Sequence, residues 1–236
     1  MESSSALFDP IPACIDSLSH GNFLVVLDSP SRENEGDLIL AAQDMTPAKM
    51  AFMVRFTSGI ICTPLPGSLA TRLDLPLMID ASANADPNRT AYTVSIDAAA
   101  EDEGVTTGIS AHDRSVVCQK LAAGGVRKED FRRPGHVFPL RAREGGVRVR
   151  QGHTEAAVDL CRLAGKAPVG VIAEIVEEGE VLEGQAELGG NIGMARRDAC
   201  VKFARRFGLK VCTIEDLVAY LEATEGKLDQ QTNGHT

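Results

Sequence analysis

No apolar run in this chain approaches the roughly 18 residues that a membrane-spanning helix needs, which excludes a membrane partner of that kind. The N-terminal stretch MESSSALFDPIPACIDSLSHG has neither a basic start nor a long apolar core, so it is not expected to be a secretory signal. The six cysteines, Cys14, Cys62, Cys118, Cys161, Cys200 and Cys212, never form a CxxC pair. Their scatter argues against a zinc site or a disulfide frame and for reduced thiols in a reducing, cytoplasmic compartment. Positive charge is in deficit too. A net charge of −9 argues against a nucleic-acid backbone as the main partner. Internal repeats, linkers and low-complexity boundaries are lacking, so residues 1–224 are expected to form one domain, followed by a polar, disordered tail over 225–236. Histidine is sparse: there are five, and His20 and His235 lie in unpromising places.

What is present is organised around RENEGD, Arg32 to Asp37. It sets Glu33, Glu35 and Asp37 at alternate positions between two apolar runs, Phe23 to Leu27 and Leu38 to Ala42. Both runs read as buried strands, which puts the acidic cluster at their connection. In an extended segment, residues two apart share a face, so these carboxylates could converge on one cation or one polar substrate. A solvated turn remains the alternative. A calcium-binding EF-hand does not, because that register puts Ser31 at the first ligand position and Ala42 where a glutamate is required.

Further along, helices are expected over residues 12–20, from Thr46 as N-cap to Ser58, and for about a dozen residues after Ser110. Short strands are expected over Gly59 to Thr63 and Ala91 to Asp97. Cys62, in the first of these, reads as a small core hydrophobe. From Arg114 to Arg150 ten basic residues stand against three acidic ones, a local positive field suited to a small anion such as a phosphate ester, or else a basic solvated face. Thr106, Thr107 and Ser110 either cap the helix that follows or present donors to an anion at its N-terminus. His136 lies in RRPGHVFPL, a proline-constrained loop next to a basic pair. Arg150, Gly152, His153 and Thr154 gather where a buried helix begins, an arrangement suited to phosphate, with a His153 ring nitrogen free for a metal. Glu174 is the one charge in the apolar strand Ala167 to Val176, at its exposed end or buried with a raised pKa. Two covering helices, Met194 to Phe207 and Ile214 to Glu222, flank a strand from Leu209 to Cys212.

Taken in order, RENEGDL, ICTPL, YTVSID, TTGISAHDR, RRPGHVFPL, GHTEAAVDL after Arg150, and AEI around Glu174 resemble the 3,4-dihydroxy-2-butanone 4-phosphate synthase family across residues 10 to 222. The resemblance implies an α+β single domain, a mixed β-sheet core flanked by helices, in the stand-alone form. It implies a magnesium- or manganese-dependent lyase of riboflavin biosynthesis that converts D-ribulose 5-phosphate to L-3,4-dihydroxy-2-butanone 4-phosphate and formate. By motif position, Glu33 and His153 would bind the metal. Arg32, Glu33, Asp37, Thr107, Arg150, Gln151, Gly152, His153, Thr154 and Glu174 would meet the sugar phosphate. His136, Glu174 and Asp37 would be catalytic. The family is homodimeric, with the RPGH segment crossing the interface, so His136 would serve the partner's site. Two departures stand out: the dense acidic run before RENEGD is reduced to Asp28-Ser29-Pro30-Ser31, weakening any role there in metal binding or loop ordering, and Ala173 replaces the family's cysteine before Glu174.

Overall fold

The computed structural model describes residues 7–99 and 104–228. Its strands are β1 (Leu24–Leu27), β2 (Gly36–Ala41), β3 (Cys62–Pro66), β4 (Ile96–Ala98), β5 (Phe131–Ala142), β6 (Gly170–Glu174), β7 (Glu180–Val181), β8 (Leu188–Gly189) and β9 (Lys210–Thr213). Seven of them form one mixed sheet in the order β4–β5–β3–β6–β2–β1–β9, and β7 with β8 makes a separate hairpin. The helices are α1 (Ile11–Ser19), α2 (Pro47–Phe56), α3 (Gly67–Arg72), α4 (Ala111–Ala122), α5 (His153–Leu163), α6 (Arg197–Arg206) and α7 (Ile214–Glu225). The α+β domain with a mixed sheet core is as expected.

β1 and β2 are buried along their whole lengths because both faces of the sheet are covered. Side chains alternate between the faces. Val25, Leu27, Leu38 and Leu40 join α2, α4 and α6 in one core, through Met50, Met53, Val117, Leu121 and Phe203. Leu24, Val26, Ile39 and Ile172 join α1, α5 and α7 in the other, through Leu18, Ala157, Leu160 and Leu217. The same alternation sets the polar ends of these strands. Asp37 lies two residues before Ile39 and Glu174 two after Ile172, so both fall on the α5 side, and the antiparallel β2–β6 register places them directly opposite each other.

Local chemistry starts the helices where expected. Thr46 accepts from the Lys49 amide ahead of Pro47, and Ser110 accepts from the Asp113 amide. Four expectations need correction. The strand after Gly59 runs through both prolines, as β3; its pairing with β6 ends at Cys62, so Pro64 and Pro66 leave no donor missing on that side. Residues 91–95 form no continuous strand, only the isolated bridges Tyr92–Leu140 and Thr93–Leu77 ahead of the three-residue β4. RRPGHVFPL is not a loop but most of β5. The β4–β5 ladder pairs Asp97 with Arg132 and then Ile96 with Val137, so Arg133 to His136 swell out of the strand as a bulge. Finally, α7 reaches Glu225, beyond the expected domain end, while 229–236 of the expected tail lie outside the described residues. Among the described residues, no helix is long and apolar enough to cross a membrane.

Candidate active site

The connection from β1 to β2, residues 28–35, is held by the carboxylate of Asp28, whose side chain is 1% exposed. Its Oδ2 accepts from the Glu33 amide at 3.0 Å and from Arg32 Nη1 at 2.8 Å, and its Oδ1 accepts from the Glu35 amide at 2.9 Å. The shortened acidic run therefore keeps its loop-ordering residue, contrary to the expectation from sequence. Arg32 also pairs with Glu33 Oε2, and Asn88 Nδ2 donates to Glu33 Oε1 at 2.6 Å. Glu35 turns outward to Arg196 at 3.3 Å. Gly36 does not make the turn. It begins β2, where a Cβ would stand 2.6 Å from Cys200 Sγ; the left-handed residue of the loop is Asn34, with φ 55°.

His153, the first residue of α5, points under this loop. Its Nε2 lies 3.0 Å from the Val26 carbonyl oxygen. A carbonyl only accepts, so Nε2 carries the hydrogen and Nδ1 carries the lone pair. Nδ1 faces Asp37 Oδ1 at 3.4 Å and Glu33 Oε2 at 3.9 Å. Burial pushes the ring's pKa down to about 4; Asp28 opposes this and Arg32 adds to it, so the imidazole is neutral at neutral pH. Burial likewise raises Asp37 well above the usual carboxylate range, reinforced by Glu174, Glu33, Asp28 and Glu35. Glu33 is raised by burial, with Arg32 pulling it back. Glu174 is half-buried at the end of β6 and accepts from Ser58 Oγ at 2.7 Å.

The anion end of the site is built but already engaged. Arg150 Nη1 bonds Glu155 Oε2 at 2.6 Å, and Nη2 donates to Thr90 Oγ1 at 3.1 Å. Nε and Nη2 both reach the Asn88 carbonyl. Gly152 and Thr154 are buried beside it and Gln151 is exposed. Thr106, Ser110 and the Gly108 amide serve the protein's own Asp113 carboxylate: burial would raise that group, but these donors hold it below the usual range. Thr107 is exposed. Cys62 is a buried thiol whose pKa is raised by burial and then by Glu174 and Asp37, which keeps it protonated and core-like.

His136 is not brought to this cluster. It sits on β5, three strand spacings from β2 in the sheet order, on the order of 14 Å away. Sequence reasoning overlooked Asn88 and Glu155. Glu155 had one signal, a carboxylate in the first turn of a helix five residues after Arg150; Asn88 had none, since it lies in the loop ADPNRT. A cleft of about 690 Å³ runs along this loop, lined by Leu77, Asn84, Asp86, Thr90, Tyr92 and Arg143.

The donor set suits a divalent cation. Asp28, Glu33 and His153 offer ligand atoms within 4.8 Å of one another. Asp37 Oδ1 is buried without a hydrogen-bond partner, and the nearest nitrogen presents a lone pair to it. Two electron-rich atoms facing each other in a dry site call for a proton between them or a cation nearby. Asp28 is tied to two backbone amides of the loop, whereas Glu33 is held by the side chains of Arg32 and Asn88 alone, so Glu33 and His153 are the ligands a cation could take with least rearrangement of the backbone.

Known proteins share this fold and much of this sequence. The chain superimposes with a TM-score of 0.89 on a crystal structure of 3,4-dihydroxy-2-butanone 4-phosphate synthase in complex with two magnesium ions, 60% identical and covering 94% of this chain and all of that one. A 3,4-dihydroxy-2-butanone 4-phosphate synthase from Pyricularia oryzae is 60% identical over 227 residues, 96% of this chain and 94% of that protein. A riboflavin biosynthesis protein from Synechocystis is 50% identical over 91% of this chain, which spans 36% of it. These likenesses place the chain among the enzymes of riboflavin biosynthesis. The model of the family described as 3,4-dihydroxy-2-butanone 4-phosphate synthase matches residues 12–220, and the chain belongs to that family.

Two measurements check this geometry. In the metal-free protein, the His153 ring should titrate near pH 4 by NMR, against about 6.5 in the unfolded chain, so that it stays neutral through pH 5. A midpoint at or above 6 would contradict the burial and tautomer derived above. Asp28→Ala should free the Glu33 and Glu35 amides, visible as faster hydrogen exchange at both, and lower stability by about 2–4 kcal/mol.

Proposed function

We propose that this chain converts D-ribulose 5-phosphate to L-3,4-dihydroxy-2-butanone 4-phosphate and formate, as a carbon–carbon lyase of riboflavin biosynthesis. The observation that carries the reading is the cross-strand pair Asp37–Glu174, set beside the Glu33–His153 ligand pair in one buried corner. The reaction needs a proton taken from carbon, a hydroxyl lost as water, a skeletal shift, and that water taken up again as formate leaves. Each proton transfer needs a group whose pKa lies near the working pH, and burial with like charges raises Asp37 toward that range. Glu174, opposite it, is the second proton-transferring group. Arg32 neutralises the corner and, with Glu33 and Asp37, orients the substrate's oxygens. A magnesium or manganese ion held by Glu33 and His153 supplies Lewis-acid polarisation of those oxygens.

The phosphate belongs at the other end, at the N-terminus of α5. There Arg150, Gln151, Gly152, His153 and Thr154 bring together a guanidinium, backbone and hydroxyl donors and the helix dipole, with the Gly152 amide now turned to the Arg150 carbonyl. Thr107 adds a hydroxyl from the loop before α4. Since Arg150 is engaged with Asn88 and Thr90, phosphate binding displaces the Asn88 carbonyl. Six free, buried cysteines support a reducing, cytoplasmic setting.

His136 is catalytic in this reading, and its distance from the corner requires a second chain. The working form is a homodimer in which the half-exposed His136 of each copy completes the other's site.

Incubation with ribulose 5-phosphate and magnesium should release formate stoichiometrically with the butanone phosphate, and EDTA should stop it. Absence of formate at high enzyme concentration would sink the assignment. Glu33→Ala should lose activity through a loss of magnesium affinity of at least about tenfold. Glu174→Ala should keep magnesium and substrate binding and lose turnover by about 100-fold or more. Mixing inactive His136→Asn with inactive Glu174→Ala subunits should restore part of the activity, since one site of each mixed dimer is intact. No recovery after demonstrated subunit exchange would rule out the shared site.

A further inference from the structure

Asp37 and Glu174 stand directly opposite each other in the β2–β6 register, where two carboxylates repel whenever both are ionised. Asp37 is buried and cannot leave, but Glu174 is half-buried at the end of its strand and has solvent to swing into. The contact that opposes this movement comes from Ser58, just past the end of α2, whose hydroxyl donates to Glu174 Oε2 at 2.7 Å. A hydroxyl has a single hydrogen. The Ile60 amide, 3.4 Å from the same Oγ, can only donate to it, so the hydroxyl hydrogen is left for the carboxylate. Ser58 is itself held. Its amide donates to the Glu174 carbonyl at 2.8 Å, and Thr57 bridges to Ile175. The Thr57 hydroxyl accepts from the Gly59 amide at 3.2 Å and donates to the Met53 carbonyl at 2.7 Å. Gly59, in the left-handed region with φ 78°, turns the chain so that the Ile60 amide reaches back to Ser58.

These bonds tie the segment to β6 without help from the Ser58 hydroxyl, and a hydroxyl at an exposed position adds little to stability. Its effect falls on the carboxylate instead. We propose that Ser58 is a positioning residue for the reaction: its hydroxyl pins Glu174 Oε2, keeps that side chain beside Asp37 against their repulsion, and leaves Oε1 as the oxygen that exchanges a proton with substrate. When Oε1 takes a proton from substrate, the Ser58 hydrogen stays on Oγ, and Oε1 gives the proton back later in the same turnover. Ser58 itself neither gains nor loses a proton. The proposal rests on the reading of Glu174 as a proton-transferring residue. It adds what that reading lacks, a reason why a half-buried carboxylate at a strand end keeps one orientation toward the site.

The test uses the intact, magnesium-loaded enzyme with ribulose 5-phosphate. Ser58→Ala should lower kcat by about 10- to 100-fold, the loss expected when one hydrogen bond to a charged group is removed. KM should stay within about threefold, magnesium affinity should be unchanged, and the melting temperature should move by no more than about 2 °C. A crystal structure of the variant should show the Glu174 carboxylate in a new rotamer or in several. Ser58→Thr keeps the hydroxyl and should run within about threefold of the wild type. Wild-type kcat in Ser58→Ala overturns the proposal, and so does a loss confined to KM, which would make Ser58 a substrate-binding group. The Glu174→Gln background separates the two readings. There, Ser58→Ala should cost nothing further in kcat, because the carboxylate it positions is gone; an undiminished loss means that the hydroxyl acts elsewhere, and overturns the proposal. If Glu174→Gln is inactive while Ser58→Ala is fully active, only the role of Ser58 falls. If Glu174→Gln is itself fully active, Glu174 transfers no proton and both readings fall.

Discussion

Crowded negative charge, held out of water at one end of the sheet, is the constraint on which the rest of this site depends. Asp28 and Asp37 are almost wholly buried, and Glu33 and Glu174 stand beside them half-covered. Placing so many carboxylates together costs several kcal/mol unless each is paired, protonated or bound to a cation. The chain answers each in a different way. Asp28 is saturated by two loop amides and Arg32, Glu33 by Arg32 and Asn88, and Glu174 by Ser58. Asp37 is left with an unpaired oxygen, and the buried neutral imidazole beside it offers a lone pair and not a proton. That unresolved pair is the part of the structure least consistent with stability alone, and the part most consistent with chemistry.

The second organising contact joins the two ends of the site. Asn88 donates its side-chain amide to Glu33 and gives its backbone carbonyl to Arg150. One loop residue thus occupies a hydrogen-bonding position at the acidic corner and another at the anion end. Arg150 is itself set by Glu155, whose side chain is 1% exposed and whose other oxygen accepts from the Arg143 amide. The guanidinium is thereby held in one orientation, so an anion taken up there would cost less conformational entropy.

Much of this was legible in the sequence because it rests on local pattern. The unbroken apolar runs FLVVL and LILAA mark strands covered on both faces. Thr46, Ser110 and the helix at GHTEAA are visible from capping chemistry and helical spacing. The contacts that turn these elements into a site are long-range. Asn88 to Glu33 spans 55 residues and Asp97 to His136 spans 39, and no local signal predicts either pairing. Prolines account for two of the differences: Pro64 and Pro66 lie past the expected strand end at Thr63 but where β3 has left β6, and Pro134 of the expected loop lies in a bulge, where no ladder bond is lost. The Thr106 hydroxyl misled in another way, since the anion it serves, together with the Gly108 amide, is Asp113 of the same chain.

The cysteines carry a consequence of another kind. All six are free and buried, Cys118 and Cys200 in the layer with α2, α4 and α6, the other four in the layer with α1, α5 and α7. Burial raises the thiol pKa at Cys62, Cys118, Cys161 and Cys200, which leaves almost no thiolate for a reagent to find in the closed protein. Any labelling must therefore wait for the layer around that thiol to open. The molecule thus carries its own clock for breathing motions, with separate hands for the two sides of the sheet, and the side that carries α5 and His153 is the one with more of them.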